Sequence, residues 1–344
     1  MEKTELCIGG KRRIRWVDAA RGIGIILVTL IHSSTSAIRN YNFGVYLLYH
    51  FTVLVAVPIM TFLAGYSFQL CRDKYIKMRT EEFVKKKFRS LIMPYLSYAL
   101  IIYTLFVLAG RMPKIGSLVA RAGYSGIGIK DFLVGLLIGH NRYSIHLWFL
   151  YVLFVYEMIA FFVAKYIKKD FLLIIIAAIM LVYSFFFYPD FSLAWGNGLA
   201  YFVFFTMGIL KRKDYRITII YISTVLWIVL FLTRFFFLSP HLVIYNILGT
   251  VIPVFACISV AGLSHLINDS VKGRLIYLGQ NSMAIYLFQQ PFFGSALGTI
   301  LYAVIGIPAW ITVAICFIMS IGVPMVIRRI FVRFNWFKLM FAIK

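Results

Sequence analysis

The sequence predicts an all-α, polytopic membrane protein with about ten transmembrane helices and with both termini in the cytoplasm. Hydrophobic residues make up 62% of its 344 residues, whereas soluble domains usually contain about 45–50%. Apolar runs of roughly 17–25 residues recur along the chain, and about 20 helical residues are enough to cross the hydrocarbon. Backbone groups inside a bilayer must pair within their own segment, which favours helices, and the alternating segments of a membrane β-barrel are missing.

Ten apolar segments are predicted to span the membrane. They cover residues 19–38, 45–70, 91–110, 147–164, 171–188, 197–210, 217–238, 242–263, 275–303 and 309–327. With a cytoplasmic N-terminus, the inner segments carry 27 of the 35 Lys and Arg residues and the outer segments carry 7. The positive-inside rule predicts this asymmetry. It accounts for the net charge of +23, so that no nucleic-acid partner is expected.

One membrane domain is predicted over residues 1–344, because no internal repeat and no low-complexity linker divides the chain. Residues 1–15 form a basic cytoplasmic N-terminus. Residues 72–89 form a charged cytoplasmic loop, which is expected to be partly helical at the membrane surface. Residues 111–145 form an outer loop that contains the apolar segment DFLVGLLIG, 131–139. As a helix this segment rises only about 13 Å, which predicts an interfacial or re-entrant helix.

Three polar side chains, Asp18, Arg21 and His32, interrupt the first apolar segment. At about 100° per residue they lie on one face of a helix, with Asp18 and Arg21 close enough to pair. About 16 Å of helical rise separates Arg21 from His32. Charged groups within a bilayer usually face an internal cavity, where a neutral imidazole can act as a general base. The alternative stays open that Asp18 and Arg21 mark the membrane interface and that His32 is a hydrogen-bonded core residue.

Five stretches of the sequence carry a family resemblance. The first is Arg21 and His32 preceded by Asp18, and the others are VPIMTFLAGYSF (57–68), KKKFRSLIMPY (85–95), HLWFLYVLF (146–154) and LGQNSMAIYLFQQPF (278–292). In order and spacing they resemble the signature segments of the acyltransferase family 3 integral membrane enzymes, over essentially the whole chain. Two positions depart from the family pattern, because Ala64 replaces the usual serine and Gln289 stands where histidine is often found.

The resemblance implies an acyl-CoA-dependent O-acyltransferase, most often an acetyltransferase. Such enzymes transfer acyl groups from cytoplasmic acyl-CoA to hydroxyl groups of cell-surface glycans. The length of the chain resembles that of members acting on polysaccharide or on lipid-linked saccharide precursors, in a bacterial inner membrane or plasma membrane. Acetyl-CoA is then a co-substrate, and neither a bound cofactor nor a metal is expected. Membrane lipids surround the chain, and a homodimer is left open.

The resemblance and the helical geometry together imply roles for the polar residues of the first span and for two basic residues of the loop 72–89. His32 deprotonates the acceptor hydroxyl or carries the acyl group briefly. Asp18 orients Arg21 or pairs with another basic residue nearby. Arg21, Lys86 and Arg89 bind the phosphates of acyl-CoA.

Five further residues have weaker assignments. His146, which matches the family motif, and Trp148 are expected to contact the acceptor near the outer end of a span. Tyr66, Ser282 and Tyr286 are candidate donors to the anionic tetrahedral intermediate. Helix packing is the competing explanation for these three residues.

Two other functions are compatible with the sequence. A transporter or flippase for a lipid-linked saccharide would also place polar groups and glycines inside the membrane. Transporters often contain paired, interrupted helices in two related halves, and no such pairing is visible in the sequence. The second is a non-catalytic component of a polysaccharide synthesis and export system.

Overall fold

A computed structural model describes residues 5–8, 11–112, 116, 128–139, 141–187, 196–211 and 213–343. Its elements in chain order are β1 Glu5–Ile8, β2 Lys11–Ile14, α1 Arg15–Ser33, α2 Ser36–Arg39, α3 Phe43–Lys77, α4 Thr80–Lys87, α5 Met93–Gly110, α6 Ile129–Leu137, α7 Trp148–Phe162, α8 Phe171–Phe187, α9 Gly196–Leu210, α10 Ile217–Phe237, α11 Val243–Leu266, α12 Asp269–Gln280, α13 Ser282–Phe288, α14 Leu297–Thr299, α15 Ala309–Phe331 and α16 Asn335–Phe341. Four π-helical turns and one 3-10 helix connect some of them, at Phe88–Ile92, Arg142–Leu147, Val163–Ile167, Phe292–Ala296 and Ile300–Val304.

The helical membrane architecture is confirmed. Seven helical stretches of the described chain are long and apolar enough to cross a bilayer, namely Arg15–Ser33, Phe43–Lys77, Thr80–Gly110, Tyr143–Ile167, Ile217–Phe237, Val243–Leu266 and Ala309–Phe331. Three of the ten predicted spans correspond to shorter apolar helices, at Phe171–Phe186, Gly198–Leu210 and Phe292–Val304. The count of ten and the cytoplasmic termini stay predictions.

The N-terminal segment contains a short antiparallel strand pair that the sequence analysis did not predict. In it Glu5 pairs with Ile14 and Ile8 with Lys11. Further along, the charged loop 72–89 is largely helical, as expected, because α3 continues to Lys77 and α4 begins at Thr80. In the outer loop, α6 confirms the short helix, while residues 113–115, 117–127 and 140 lie outside the described residues.

The first span ends earlier than the sequence predicts. Helix α1 ends at Ser33 rather than near residue 38. The hydroxyls of Ser33 and Ser34 donate to the carbonyl oxygens of Thr29 and Leu30, each at 2.9 Å, and such side-chain bonds compete with the continuing helix. His32 therefore lies in the last turn of α1.

The ninth predicted span, 275–303, is wrong as a single helix. It is divided into α12, α13 and the helical stretch Phe292–Val304, with turns at Asn281 and at Gln289–Pro291. Pro291 has no backbone N–H to donate, and a proline disfavours the helical conformation of the residue before it.

The structure forms two compact units. Unit 1 contains residues 1–69 and 204–325, and unit 2 contains residues 70–203 and 326–344. In unit 1 the chain from Asp269 to Gly298 follows α1 along its whole length. Asp269 pairs with Arg15 at 3.2 Å, Gly279 lies against the carbonyl oxygen of Asp18, and Gly298 lies against Thr35. The broken ninth span is thus the neighbour of the polar face of α1.

Unit 2 is built around α4, α5 and α7. Buried aromatic rings join them, and Phe83 stacks on Phe161 with ring centroids 4.0 Å apart. The hydroxyl of Tyr95 donates to the carbonyl oxygen of Leu136, which fixes the end of α6 against α5. The C-terminal helix α16 packs on α5 as well.

Candidate active site

Arg21 is held in place by two neighbouring side chains in unit 1. Its guanidinium donates to the hydroxyl of Ser67 at 2.6 Å and to a carboxylate oxygen of Asp18 at 3.3 Å. The predicted pair of Asp18 and Arg21 is therefore present. Asp18 is buried, with its side chain 7% exposed, while the Arg21 side chain is 33% exposed. About a third of the Arg21 side chain is therefore exposed, although its orientation is fixed.

Asp18 is fixed from the other side by the end of α12. The second carboxylate oxygen of Asp18 accepts a hydrogen bond from the Gln280 amide at 3.3 Å. Glycines allow this approach, because a Cβ at Gly279 would lie 1.9 Å from the carbonyl oxygen of Asp18 and a Cβ at Gly22 would lie 2.1 Å from that of Leu275. Gln280 and Ser67 are site residues that the sequence analysis missed, since neither lies on α1 and only the fold brings Gln280 to Asp18 and Ser67 to Arg21.

The other end of the polar face, at His32, is lined by the turn after α13. A Cβ at Gly294 would lie 3.0 Å from the carbonyl oxygen of His32 and 2.4 Å from the side-chain nitrogen of Gln290. Ser295 donates to the side-chain oxygen of Gln290 at 2.9 Å. Polar side chains therefore collect near His32 in a segment that the sequence predicts as a plain apolar span.

Gln289, in the same turn, is completely buried in unit 1. Neither atom of its amide has a hydrogen-bond partner among the residues that the structure describes. A buried polar group without a partner costs about 1–3 kcal/mol, so such a group calls for an explanation. At the position where the family often has histidine, an amide open to a ligand is one such explanation.

Ser282 and Tyr286 lie on α13, which packs against α1 in the segment between Gln280 and Gly294. Their positions along the chain place them between the levels of Asp18 and His32. Tyr286 is buried and Ser282 is partly buried. Their predicted roles as donors to the intermediate stay predictions.

Tyr66 lies at the opposite end of α1 from His32. Its ring is 5.0 Å from that of Trp16, centroid to centroid, and Trp16 precedes His32 by about 24 Å of helical rise. A donor role next to His32 therefore does not fit this placement. Tyr66 instead forms part of an aromatic enclosure around Lys211, whose ammonium lies 5.3 Å from the Tyr66 ring and 5.1 Å from the Trp16 ring.

The Lys211 enclosure also contains two ionisable partners that the sequence analysis missed. The ammonium lies 3.5 Å from a carboxylate oxygen of Asp214, and the imidazole of His265 is 3.8 Å from the same oxygen. Burial lowers the pKa of Lys211, and the Asp214 carboxylate opposes this shift. These contacts fix the start of α1, where Trp16 stacks on His265.

Lys86 and Arg89 lie in unit 2 and are both exposed. The helix that carries them changes to a π-helical turn at Phe88, a feature that is frequent at functional sites. Lys87, between them, points inward and pairs with Glu157 of α7. Exposure is what a role in binding phosphate requires of Lys86 and Arg89, but that role stays a prediction.

His146 and Trp148 also lie in unit 2. His146 is buried and meets the Tyr98 ring edge to face, with centroids 5.9 Å apart. Trp148 stacks on Tyr201 at 6.2 Å. Their predicted contacts with the acceptor stay predictions.

The fold and the polar face define a class of protein, a multi-pass helical membrane protein with an arginine, an aspartate and a histidine along its first span. A family model described as an acyltransferase domain matches residues 14–329, and the chain belongs to acyltransferase family 3. It is therefore a membrane O-acyltransferase. No curated protein and no solved structure matches the chain.

Proposed function

We propose that this protein transfers an acetyl group from cytoplasmic acetyl-CoA to a hydroxyl group of a cell-surface polysaccharide or a lipid-linked saccharide, in a bacterial inner membrane or plasma membrane. The observation that supports the proposal most directly is the fixed guanidinium of Arg21, which Asp18 and Ser67 orient on the same helix face as His32. The positive-inside orientation puts Arg21 at the cytoplasmic end, where acyl-CoA is found.

Arg21 binds a phosphate group of acetyl-CoA in this proposal. Charge-assisted hydrogen bonds to phosphate are stronger than neutral ones, and a guanidinium offers its N–H groups in a planar fork. Because Asp18 and Ser67 already hold the side chain, little conformational entropy is lost on binding. The pantetheine arm then extends along α1 and brings the thioester towards His32.

His32 acts as the general base. It takes the proton of the acceptor hydroxyl as the hydroxyl oxygen attacks the thioester carbonyl carbon. When the tetrahedral intermediate collapses, the carbon–sulfur bond breaks, the ester forms, and the imidazolium returns the proton to the CoA thiolate. Ser282, Tyr286 and Gln289 are the candidates for stabilising the negative charge on the intermediate.

Labelled acetyl-CoA tests the proposed function directly. Purified protein in nanodiscs is incubated with acetyl-labelled CoA and a lipid-linked saccharide, and the label on the saccharide is measured after extraction. We expect time-dependent transfer with release of one free thiol per ester formed. Movement of the saccharide across vesicle membranes without any transfer would favour a transporter and contradict the proposal.

Arg21→Lys is expected to raise the KM for acetyl-CoA by about tenfold, with a smaller change in kcat. The substitution keeps the positive charge next to buried Asp18 but loses the planar fork, which is worth about 1.4 kcal/mol if one charge-assisted bond is lost. Steady-state transfer kinetics with varied acetyl-CoA measure the effect. Arg274→Lys, at an exposed position of α12, is the matched control and should leave KM unchanged.

If Arg21→Lys raised only the KM for the acceptor, Arg21 would bind the acceptor, and its assignment to acetyl-CoA would be wrong. The same kinetics on Arg89→Ala test the role of Arg89 separately, because Arg89 belongs to unit 2.

Gln289→Leu is expected to lower acetyl transfer by about tenfold and to leave the apparent Tm equal or higher. Replacing an unpaired buried amide with an apolar group of similar size removes a desolvation cost, while a substrate that the amide binds loses a hydrogen bond. Thermal unfolding and transfer assays are run on the same preparation. Thr206→Val is the control, because the Thr206 hydroxyl is also buried and has no described partner. Unchanged transfer in Gln289→Leu would remove Gln289 from the site.

A further inference from the structure

Acidic residues are missing from most of unit 1. Its sequence segments 19–69, 215–268 and 270–325 contain no Asp or Glu at all. The acidic residues of unit 1 are Glu2, Glu5, Asp18, Asp214 and Asp269. Those on described helices or next to them belong to the Arg15 end of α1, as the Arg15–Asp269 pair shows. Among the side chains of unit 1 that the structure describes, none therefore provides a carboxylate to neutralise a cation at the His32 end.

Two arginines lie at the His32 end. Arg39 ends the short helix α2, and one guanidinium nitrogen lies 3.5 Å from the carbonyl oxygen of Ser34, just beyond the last turn of α1. The guanidinium lies over the Tyr49 ring, 4.0 Å from its centroid. Tyrosine faces and helix C-terminal carbonyls hold a cation without cancelling its charge. Arg39 is therefore positioned close to His32 along the chain and keeps its positive charge.

Arg234 is held in the same way at the end of α10. Its guanidinium lies 3.6 Å from the centroid of the Tyr245 ring, and its Nε donates to the carbonyl oxygen of Tyr245 at 2.9 Å. Gly249 lies beside the guanidinium, at a position where a Cβ would make an ordinary contact of 3.5 Å with a terminal nitrogen. Neither Arg234 nor Arg39 forms an ion pair with a described residue.

His50 connects the two arginines. Its ring lies 5.5 Å from the ring of Tyr49, which carries Arg39, and 5.8 Å from the ring of Phe235, the residue after Arg234. Both guanidiniums interact electrostatically with the His50 imidazole. The two positive charges therefore converge on one small region of unit 1.

Exposed aromatic side chains surround this region. Tyr41, Phe43, Phe236 and Phe237 are all strongly exposed. Such residues concentrate where the hydrocarbon meets the lipid headgroups. The exposed aromatic rings therefore indicate a depth near the lipid phosphates for the two arginines.

We propose that Arg39 and Arg234 bind the phosphate or diphosphate group of a lipid-linked saccharide acceptor. The identity of this ligand as the acceptor rests on the proposed function, whereas the binding of a lipid phosphate does not. Two guanidiniums complement the negative charge of a diphosphate, and each can donate two parallel hydrogen bonds to phosphate oxygens. A polyprenyl tail lies along the apolar helices, and the sugar attached to the diphosphate is then presented at the end of α1 that carries His32.

Direct binding measurements test the site without acyl transfer. The protein is placed in phosphatidylcholine nanodiscs, and its affinity for a labelled polyprenyl diphosphate that carries one sugar is measured. We expect Arg39→Gln and Arg234→Gln each to weaken binding by about tenfold, as for loss of one charge-assisted contact. Arg39→Lys and Arg234→Lys should lie between these variants and wild type. Arg111→Gln, at an exposed arginine of unit 2, should bind as wild type.

Competition identifies the source of the phosphate. Unlabelled polyprenyl diphosphate should displace the probe, and polyprenol of the same length without phosphate should not. Displacement by an equal mole fraction of phosphatidylglycerol would assign the arginines to ordinary anionic lipid and overturn the proposal. Wild-type affinity in Arg39→Gln and Arg234→Gln would overturn it as well.

The two proposals can fail separately. Arginine-dependent binding in a protein that transfers no acetyl group would remove the proposed function and leave the phosphate site. If the wild type transfers acetyl groups and Arg39→Gln has an unchanged KM for the acceptor, the proposed function stands and Arg39 is not part of the acceptor site.

Discussion

His32→Ala is expected to lower acetyl transfer by about 10²- to 10⁴-fold, the usual contribution of a general base. The imidazole is the one titratable ring on α1, and the backbone carbonyl oxygen of His32 lies next to Gly294, which follows the turn with Gln289 and Gln290. Without it the acceptor hydroxyl must lose its proton to water, which a mostly buried site excludes. The KM for acetyl-CoA should change little, because Arg21 is three turns away on the same helix.

His241→Ala is the matched control for this prediction. His241 lies on an exposed turn between α10 and α11, so its removal should change neither transfer nor stability. A thermal unfolding curve of His32→Ala that matches wild type would show that any loss is chemical. Full transfer by His32→Ala would instead remove His32 from the mechanism.

Glu157→Ala is expected to lower the free energy of unfolding of unit 2 by about 3–5 kcal/mol, because it leaves the buried ammonium of Lys87 without a counter-charge. The side chains of Lys87 and Glu157 are only 10% and 9% exposed. Tyr75 accepts a hydrogen bond from Lys87 at 3.3 Å, and its ring lies 4.6 Å from the ammonium. Neither contact replaces a carboxylate. The measurement is the apparent Tm in detergent, which should fall by several degrees.

The double variant Lys87→Met/Glu157→Leu separates a lost charge pair from a lost contact. Replacing both partners by apolar side chains is often neutral or stabilising, so we expect the Tm to return towards wild type. Lys85→Met, two positions earlier and exposed, should leave the Tm unchanged. A double variant less stable than Glu157→Ala alone would show that the pair stabilises the unit by more than charge compensation.

The helical membrane architecture could be predicted because the length of each apolar run determines it locally. The Asp18–Arg21 pair followed from helical spacing in the same way. The end of α1 was misplaced, because the hydroxyls of Ser33 and Ser34 compete with the helix at residues that a hydropathy pattern treats as neutral. The break at Gln289–Pro291 was missed for a related reason, since the surrounding residues are apolar enough to be taken for a continuous span.

The partners of the site could not be predicted from the sequence. Ser67 reaches Arg21 and Gln280 reaches Asp18 from helices other than α1, and spacing along α1 contains no information about them. That Tyr66 lies near Trp16 rather than near His32 could not be predicted, because a motif gives the order of residues but not their depth along a neighbouring helix. Lys87 is adjacent in sequence to the predicted Lys86, but its pairing with Glu157 could not be predicted without knowing where α7 packs.

The contact between Gln280 and Asp18 joins residues 262 positions apart, which has a consequence for biosynthesis. At about 5–20 residues per second, a ribosome needs roughly 13 to 50 s to make the segment between them. During that time α1 is in the translocon or the lipid without its partner helix. The Asp18 carboxylate and the Arg21 guanidinium are one turn apart, so they can neutralise each other until α12 has been synthesised. Helix α1 is thus able to enter the membrane alone, well before α12, which carries Gln280, has been translated.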